Sequence, residues 1–184
     1  MANAEFDEGD ILKVVKGFAA YLRQQKKQYL PSSAPLSAEQ GESMAGFFCS
    51  SLLKKVRIVE LHGKPMPALP ESLIASIAKP DLPLPEVEHM DSLTYGDLLL
   101  FRDTVADRRL FHALVHAAQF TMLGVEPYFD LYIKAFLKNR SYLTVPLEMH
   151  AFQLDTKYTA APSTVFSVED DIRLWYGQGR YGRF

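Results

Sequence analysis

The chain predicts an α+β fold, mostly helical with a small β-sheet. Several segments repeat apolar residues at helical spacing. Two short runs, Lys55 to Leu61 and Leu93 to Phe101, are apolar and read as strands. Capping and breaking residues separate these segments. A length of 184 residues fits one domain with an appended arm and is enough to bury a real core.

The elements follow in order. From Glu8 to Leu30, Ile11, Val14, Val15, Phe18, Tyr21 and Leu22 form an apolar stripe, and Pro31 ends the helix. Ser37 with Gln40 forms a capping box opening a second helix through Met44, Phe47, Phe48 and Leu52. Cys49 falls inside that helix and is expected to be a buried, inert thiol. After the first strand a proline-dense stretch, 65–85, is expected to wrap the surface, with one short helix from Glu71 to Ala78. The second strand leads into a helix over Leu110 to Gly124, with Asp107 as its N-cap or first-turn acid. A third strong helix follows Gly124, with Pro127 in its first turn; Tyr128, Phe129, Tyr132 and Phe136 recur at helical spacing as packing aromatics, with an aromatic ligand box as the other reading. Pro146 starts a fourth, Ser167 caps a last short one, and the glycine- and arginine-rich tail reads as mobile.

Composition excludes several classes. Hydrophobic residues make up 48% and charged residues 23%, ordinary values for a globular protein. A net charge of −2 gives no reason to expect nucleic acid, and no apolar run approaches a membrane span. One cysteine supplies neither a disulfide nor a thiolate cluster. The acidic start lacks the features of a signal peptide, so cytoplasmic is the default expectation.

The chemistry concentrates in L-F-H-A-L-V-H-A-A-Q-F-T-M-L-G, residues 110–124. His112 and His116 lie four apart, so both imidazoles project from one helix face. Gln119 shares that face, and Glu148 returns in the first turn of a later helix as a third ligand. Two imidazoles and one carboxylate leave a fourth zinc position open, as in catalytic sites. The same residues also have plainer readings. The histidines can be packed or solvated helix residues, and Glu148 a first-turn charge favoured by the helix dipole. Gln119 is expected to bond a neighbouring backbone rather than a metal. His150 is expected at the surface. Tyr142 and Tyr158 are cleft candidates, with packing at the core or rim as the plainer reading.

Phe111 to Phe120 with Leu123-Gly124 resembles the F-H-E-L-V-H-x-x-Q-Y-x-x-L-G core of small bacterial zincin-like proteins, similar to gluzincin metallopeptidases. Glu148-Met149-His150-Ala151 is similar to that branch's E-x-x-A element, and Leu93 to Asp97 to its lead-in strand. The resemblance spans roughly 55–158. It implies a minimal zincin-like core within 37–176; the N-terminal helical arm and linker, 1–36, lie outside it, and the tail, 177–184, is expected from its composition to be flexible. It also implies zinc held by His112, His116 and Glu148; Gln119, Tyr142 and Tyr158 are the separate candidates for the surroundings of that site.

Ala113 departs from the pattern, because zincins carry at that position the glutamate that relays a proton from the attacking water to the leaving amine. Alanine does neither. The expectation is a degenerate metallopeptidase homologue without peptidase activity, keeping its cleft for a peptide or protein ligand. A hydrolase with a substitute base (Glu126, Asp107 or a glutamate of the proline-rich stretch) is one alternative. A metal-free interaction module, such as a homodimer, is the other.

Overall fold

The computed structural model describes residues 7–77 and 87–182. Among the described residues, eight helices and a four-stranded mixed sheet give the expected α+β, mostly helical architecture. No helix among the described residues is long and apolar enough to cross a membrane.

Helix α1, Glu8–Tyr29, starts where the Asp7 side chain accepts the Asp10 N–H at 2.7 Å, with acids in its first turn and lysines in its last. It packs on later elements of the chain. Its Tyr21 hydroxyl donates to the Pro67 carbonyl at 2.9 Å and meets the Tyr95 hydroxyl at 3.2 Å, and Lys26 pairs with Asp97. Strand β1, Ala34–Pro35, adds a short edge to the sheet.

The expected second helix is two helices, α2 over Ala38–Met44 and α3 over Ser50–Lys55. The Ser37–Gln40 capping box opens the first of them. The break follows from tertiary packing. A Cβ on Gly46 would collide with Val165, and the Phe47 carbonyl accepts the Val168 N–H at 3.0 Å. Cys49 is therefore exposed as the N-cap residue of α3, its N–H given to Glu169 at 2.9 Å, and is not the buried thiol expected.

Strand β2, Arg57–Glu60, lies parallel to the central strand β4, Leu98–Phe101, and β3, Ser92–Tyr95, pairs antiparallel with β4. The sheet order is β1-β2-β4-β3. The run expected as one strand is thus a hairpin. Gly96 takes φ +73° in the two-residue turn Gly96–Asp97, a glycine-first pair typical of such turns. All four residues of β4 are buried, as a strand covered on both faces requires. Helix α4, Glu71–Ile77, falls where the proline-dense stretch predicts it, though Met66, Leu73 and Ile77 are buried. The rest of that stretch, 78–85, including the expected helix end at Ala78, lies outside the described residues.

Helix α5, Asp107–Leu123, is buried from Leu110 to Phe120 except at His112, and packs on β3, β4, α7 and α8. A helix apolar on every side belongs in a core. Asp107 is its first-turn acid and Ala106 its N-cap. Gly124, at φ +87°, separates α5 from α6, Val125–Asn139. Helix α7, Pro146–Ala160, lies against α5, and α8, Val168–Gly177, is capped by Ser167. The tail predicted to be mobile turns back as a short 3-10 segment, Arg180–Gly182, that buries Tyr181.

Candidate metal centre

Helices α5 and α7 bring the three predicted ligands together. His112 Nε2 lies 3.1 Å from His116 Nε2, and Glu148 Oε2 lies 3.2 Å from His116 Nε2 and 3.8 Å from His112 Nε2. A tetrahedral ion with bonds of about 2.0–2.1 Å needs ligand atoms about 3.3 Å apart. The triangle has that size, so this group can hold a metal ion.

The outer contacts fix which nitrogens face inward. His112 Nδ1 donates to Asp155 Oδ2 at 3.1 Å, and Asp155 is itself held by Arg108 at 3.0 Å. His116 Nδ1 donates to Gln119 Oε1 at 2.9 Å, while Gln119 Nε2 donates to the Leu147 carbonyl at 3.1 Å. Both Nε2 lone pairs therefore converge with a carboxylate, and three electron-pair donors at this spacing require a cation between them. The two orienting contacts supply the ring geometry a metal needs.

Without a metal, a proton does that work. Burial lowers the His112 pKa, but Asp155 and Glu148 outweigh it and hold the imidazole at about 9. Burial raises Glu148, and His116 and His112 pull it well below the usual carboxylate range. Metal binding at neutral pH is then coupled to release of the His112 proton.

The triad sits on the wall of a cavity of about 830 Å³, in the size range of small-molecule sites. Most of its remaining wall is aromatic or aliphatic, including Phe18, Phe129, Phe136 and Phe152. Two phenols also face the triad. Tyr128 lies 3.3 Å from His116 Nδ1, and Tyr132 lines the same cavity. Burial, reinforced by Glu148, holds both far above their ordinary values, so both are protonated donors.

Of the predicted surroundings, Gln119 makes the expected backbone bond and also positions His116. Tyr142 lines the cavity at its exposed rim. Tyr158 stacks on Phe111 at 4.4 Å in the core instead, following the plainer of its two readings. The candidate substitute bases Glu126 and Asp107 are exposed and lie off the cavity wall. Among the described residues, the carboxylates on that wall are Asp91, Glu148 and Asp155. Asp155 was missed, although it lies seven residues beyond Glu148 and so on the same helix face. Tyr128 and Tyr132, whose plainer expectation is packing and whose alternative is an aromatic ligand box, both line this cavity.

His150 corrects the expectation of a surface residue. It is fully buried, stacked on Trp175 at 4.0 Å, with Nδ1 2.7 Å from the Tyr181 hydroxyl. Burial, with Arg180 and His116 nearby, pushes its pKa down to about 3. A base with a depressed folded pKa stabilises the fold above its unfolded value, near 6.5, and loses that contribution as pH falls towards 3. His112 acts oppositely, contributing below about 6.5 and losing it as pH rises through about 9. The metal-free protein is therefore expected to be most stable near pH ~6.5. Denaturant midpoints between pH 4.5 and 9 check this, and His150→Gln should flatten only the acid side.

Comparison with protein-family models, with curated proteins and with solved structures finds no match.

Proposed function

We propose that this chain is a zincin-like protein that binds zinc and holds a ligand without cleaving peptides. The observation that carries the reading is the convergence of His112, His116 and Glu148 on the wall of a largely apolar cavity. Two imidazoles and a carboxylate suit zinc. Bound zinc would supply a Lewis acid with one open coordination position.

The chain's own groups favour holding over hydrolysis. Asp155 is committed to His112 and Arg108, and Glu148 to the ligand triangle. Ala113 is buried and offers no proton acceptor. Tyr128 and Tyr132 stay protonated and can donate to a polar head. The aromatic wall would take the apolar body of the same ligand. Glu148 faces the histidines, which argues against a metal-free module.

The test incubates zinc-loaded protein with a mixed peptide pool and reads cleavage by mass spectrometry. The unaltered protein is expected to match its metal-free control. Ala113→Glu is expected to raise cleavage, by up to ~10²–10⁴-fold where the carboxylate reaches the reacting water. It should also lose stability, because the position is buried. Cleavage by the unaltered protein that disappears in His116→Ala would overturn the reading in favour of an active hydrolase.

A further inference from the structure

One side of the cavity is built from helices. Phe18 on α1, Ile77 on α4, and Phe129, Ile133 and Leu137 on α6 supply its side chains. A run of rings joins this side to the metal centre. Phe120 follows His116 by about one turn of α5, and its ring lies 5.6 Å from Phe129, which lies 5.4 Å from Phe18. At Phe18, Phe129 and Ile133 the helix backbone spends its N–H and C=O groups on itself. The phenols of Tyr21 and Tyr95, on the same wall, are also committed. Tyr21 donates to the Pro67 carbonyl at 2.9 Å, and the two hydroxyls meet at 3.2 Å. A peptide drawn onto this side would bury amides with nothing to bond, whereas a hydrocarbon chain has no such groups to satisfy.

The other end is charged. Arg109, His112, His116 and Phe120 follow one another at spacings of three and four, so one face of α5 lines the cavity from a guanidinium to a phenyl ring. At 1.5 Å per residue these ends are about 16 Å apart. Arg108 is held by Asp155, and Arg109 stands exposed on the same wall. With neutral imidazoles and a divalent ion on the triad, the ion and the two arginines outweigh Asp91, Glu148 and Asp155. That balance favours one anionic head. We propose that the ligand of this site is a single aliphatic chain ending in a carboxylate. Its head sits at the His112, His116 and Glu148 centre beside Arg109, and its chain lies against α1 and α6. The inference rests on the zinc-binding reading above and names the ligand class of that same site.

The test titrates hexanoate, octanoate and decanoate into the zinc-loaded full chain by isothermal calorimetry. Zinc uptake is confirmed first by competition with a chromophoric chelator, and excess metal is removed. Affinity is expected to rise roughly fourfold for each added methylene, the gain from burying that group. Decanol should bind about tenfold more weakly than decanoate, and Arg109→Gln, at an exposed position, should erase much of that difference. Leu137→Gln, at a half-buried position on α6, should flatten the dependence on chain length. Affinity that does not rise with chain length, equal binding of decanol, or an unchanged decanoate affinity in Arg109→Gln would overturn the ligand class while leaving the zinc site standing. Tighter binding of a blocked apolar tripeptide than of decanoate would do the same. Failure of the unaltered protein to take up zinc would overturn the metal centre, and the proposal with it.

Discussion

Saturating zinc is expected to raise the thermal midpoint of the metal-free protein by about 8–16 °C, and a chelator to reverse the gain. The size follows from linkage. A ligand at a thousand times its Kd, binding only the folded state, adds about 4 kcal/mol. A domain of this length gains about 2–4 °C for each kcal/mol. The folded state is the one that assembles the site, because the ligands come from helices thirty-two residues apart in sequence, counting from His116 to Glu148. In the unfolded chain only the histidine pair remains local, and two flexible imidazoles compete poorly with three fixed donors. Scanning calorimetry with and without zinc measures the shift. His116→Ala should abolish it, since the remaining pair, His112 and Glu148, has the longest side of the triangle, 3.8 Å.

The second large effect lies in the core beneath the site. Phe111 is completely buried, stacked on Tyr158 at 4.4 Å with ring planes 6° apart, and it meets Phe47 edge-on at 5.5 Å and Phe48 at 5.1 Å. This cluster joins α5 to α7 and to the loop between α2 and α3. Phe111→Ala removes a ring from surroundings that α5, pinned between sheet and helices, cannot close up. The expected cost is about 3–5 kcal/mol, read from chemical denaturation. The neighbouring residue is His112, so the same variant should also loosen the site. A cost near 1 kcal/mol would mean that the aromatic cluster rearranges easily and does not anchor α5.

How much could be read from the sequence differs from element to element, for physical reasons. Helix starts at Ser37 and Ser167 were legible because the capping side chain and the N–H it accepts are three residues apart. The His112, His116 and Glu148 set was legible from helical spacing and from resemblance to a motif. Other features depend on distant partners. The break between α2 and α3 comes from Val165 pressing on Gly46, more than a hundred residues away in sequence. The hairpin at Gly96 had a local signal, but the apolar run on both sides of it masked the turn. Tyr158 had the residue type of a cleft donor, yet its stacking on Phe111 is a tertiary fact. Tyr181 sits among glycines and arginines, a composition that reads as mobile. Its burial comes from contacts with His150 and Trp175 on α7 and α8.

Asp155 marks the boundary between these cases. Its helical register with Glu148 was available from sequence, but its function depends on α7 crossing α5 at the height of His112. The position of Ala113 is the reverse. Its consequence was legible at once, because no packing arrangement gives a methyl group a proton to accept. The group of His112, His116 and Glu148, which can hold a metal ion, is therefore the part of the account that sequence and structure support together.

The measurement that tests the central claim most directly is metal content by plasma mass spectrometry. The protein would be purified without an affinity metal column, incubated with zinc and freed of excess, beside His116→Ala handled identically. The account predicts close to one zinc per chain, lost in His116→Ala. No zinc in the unaltered protein, or equal zinc in both, would contradict it.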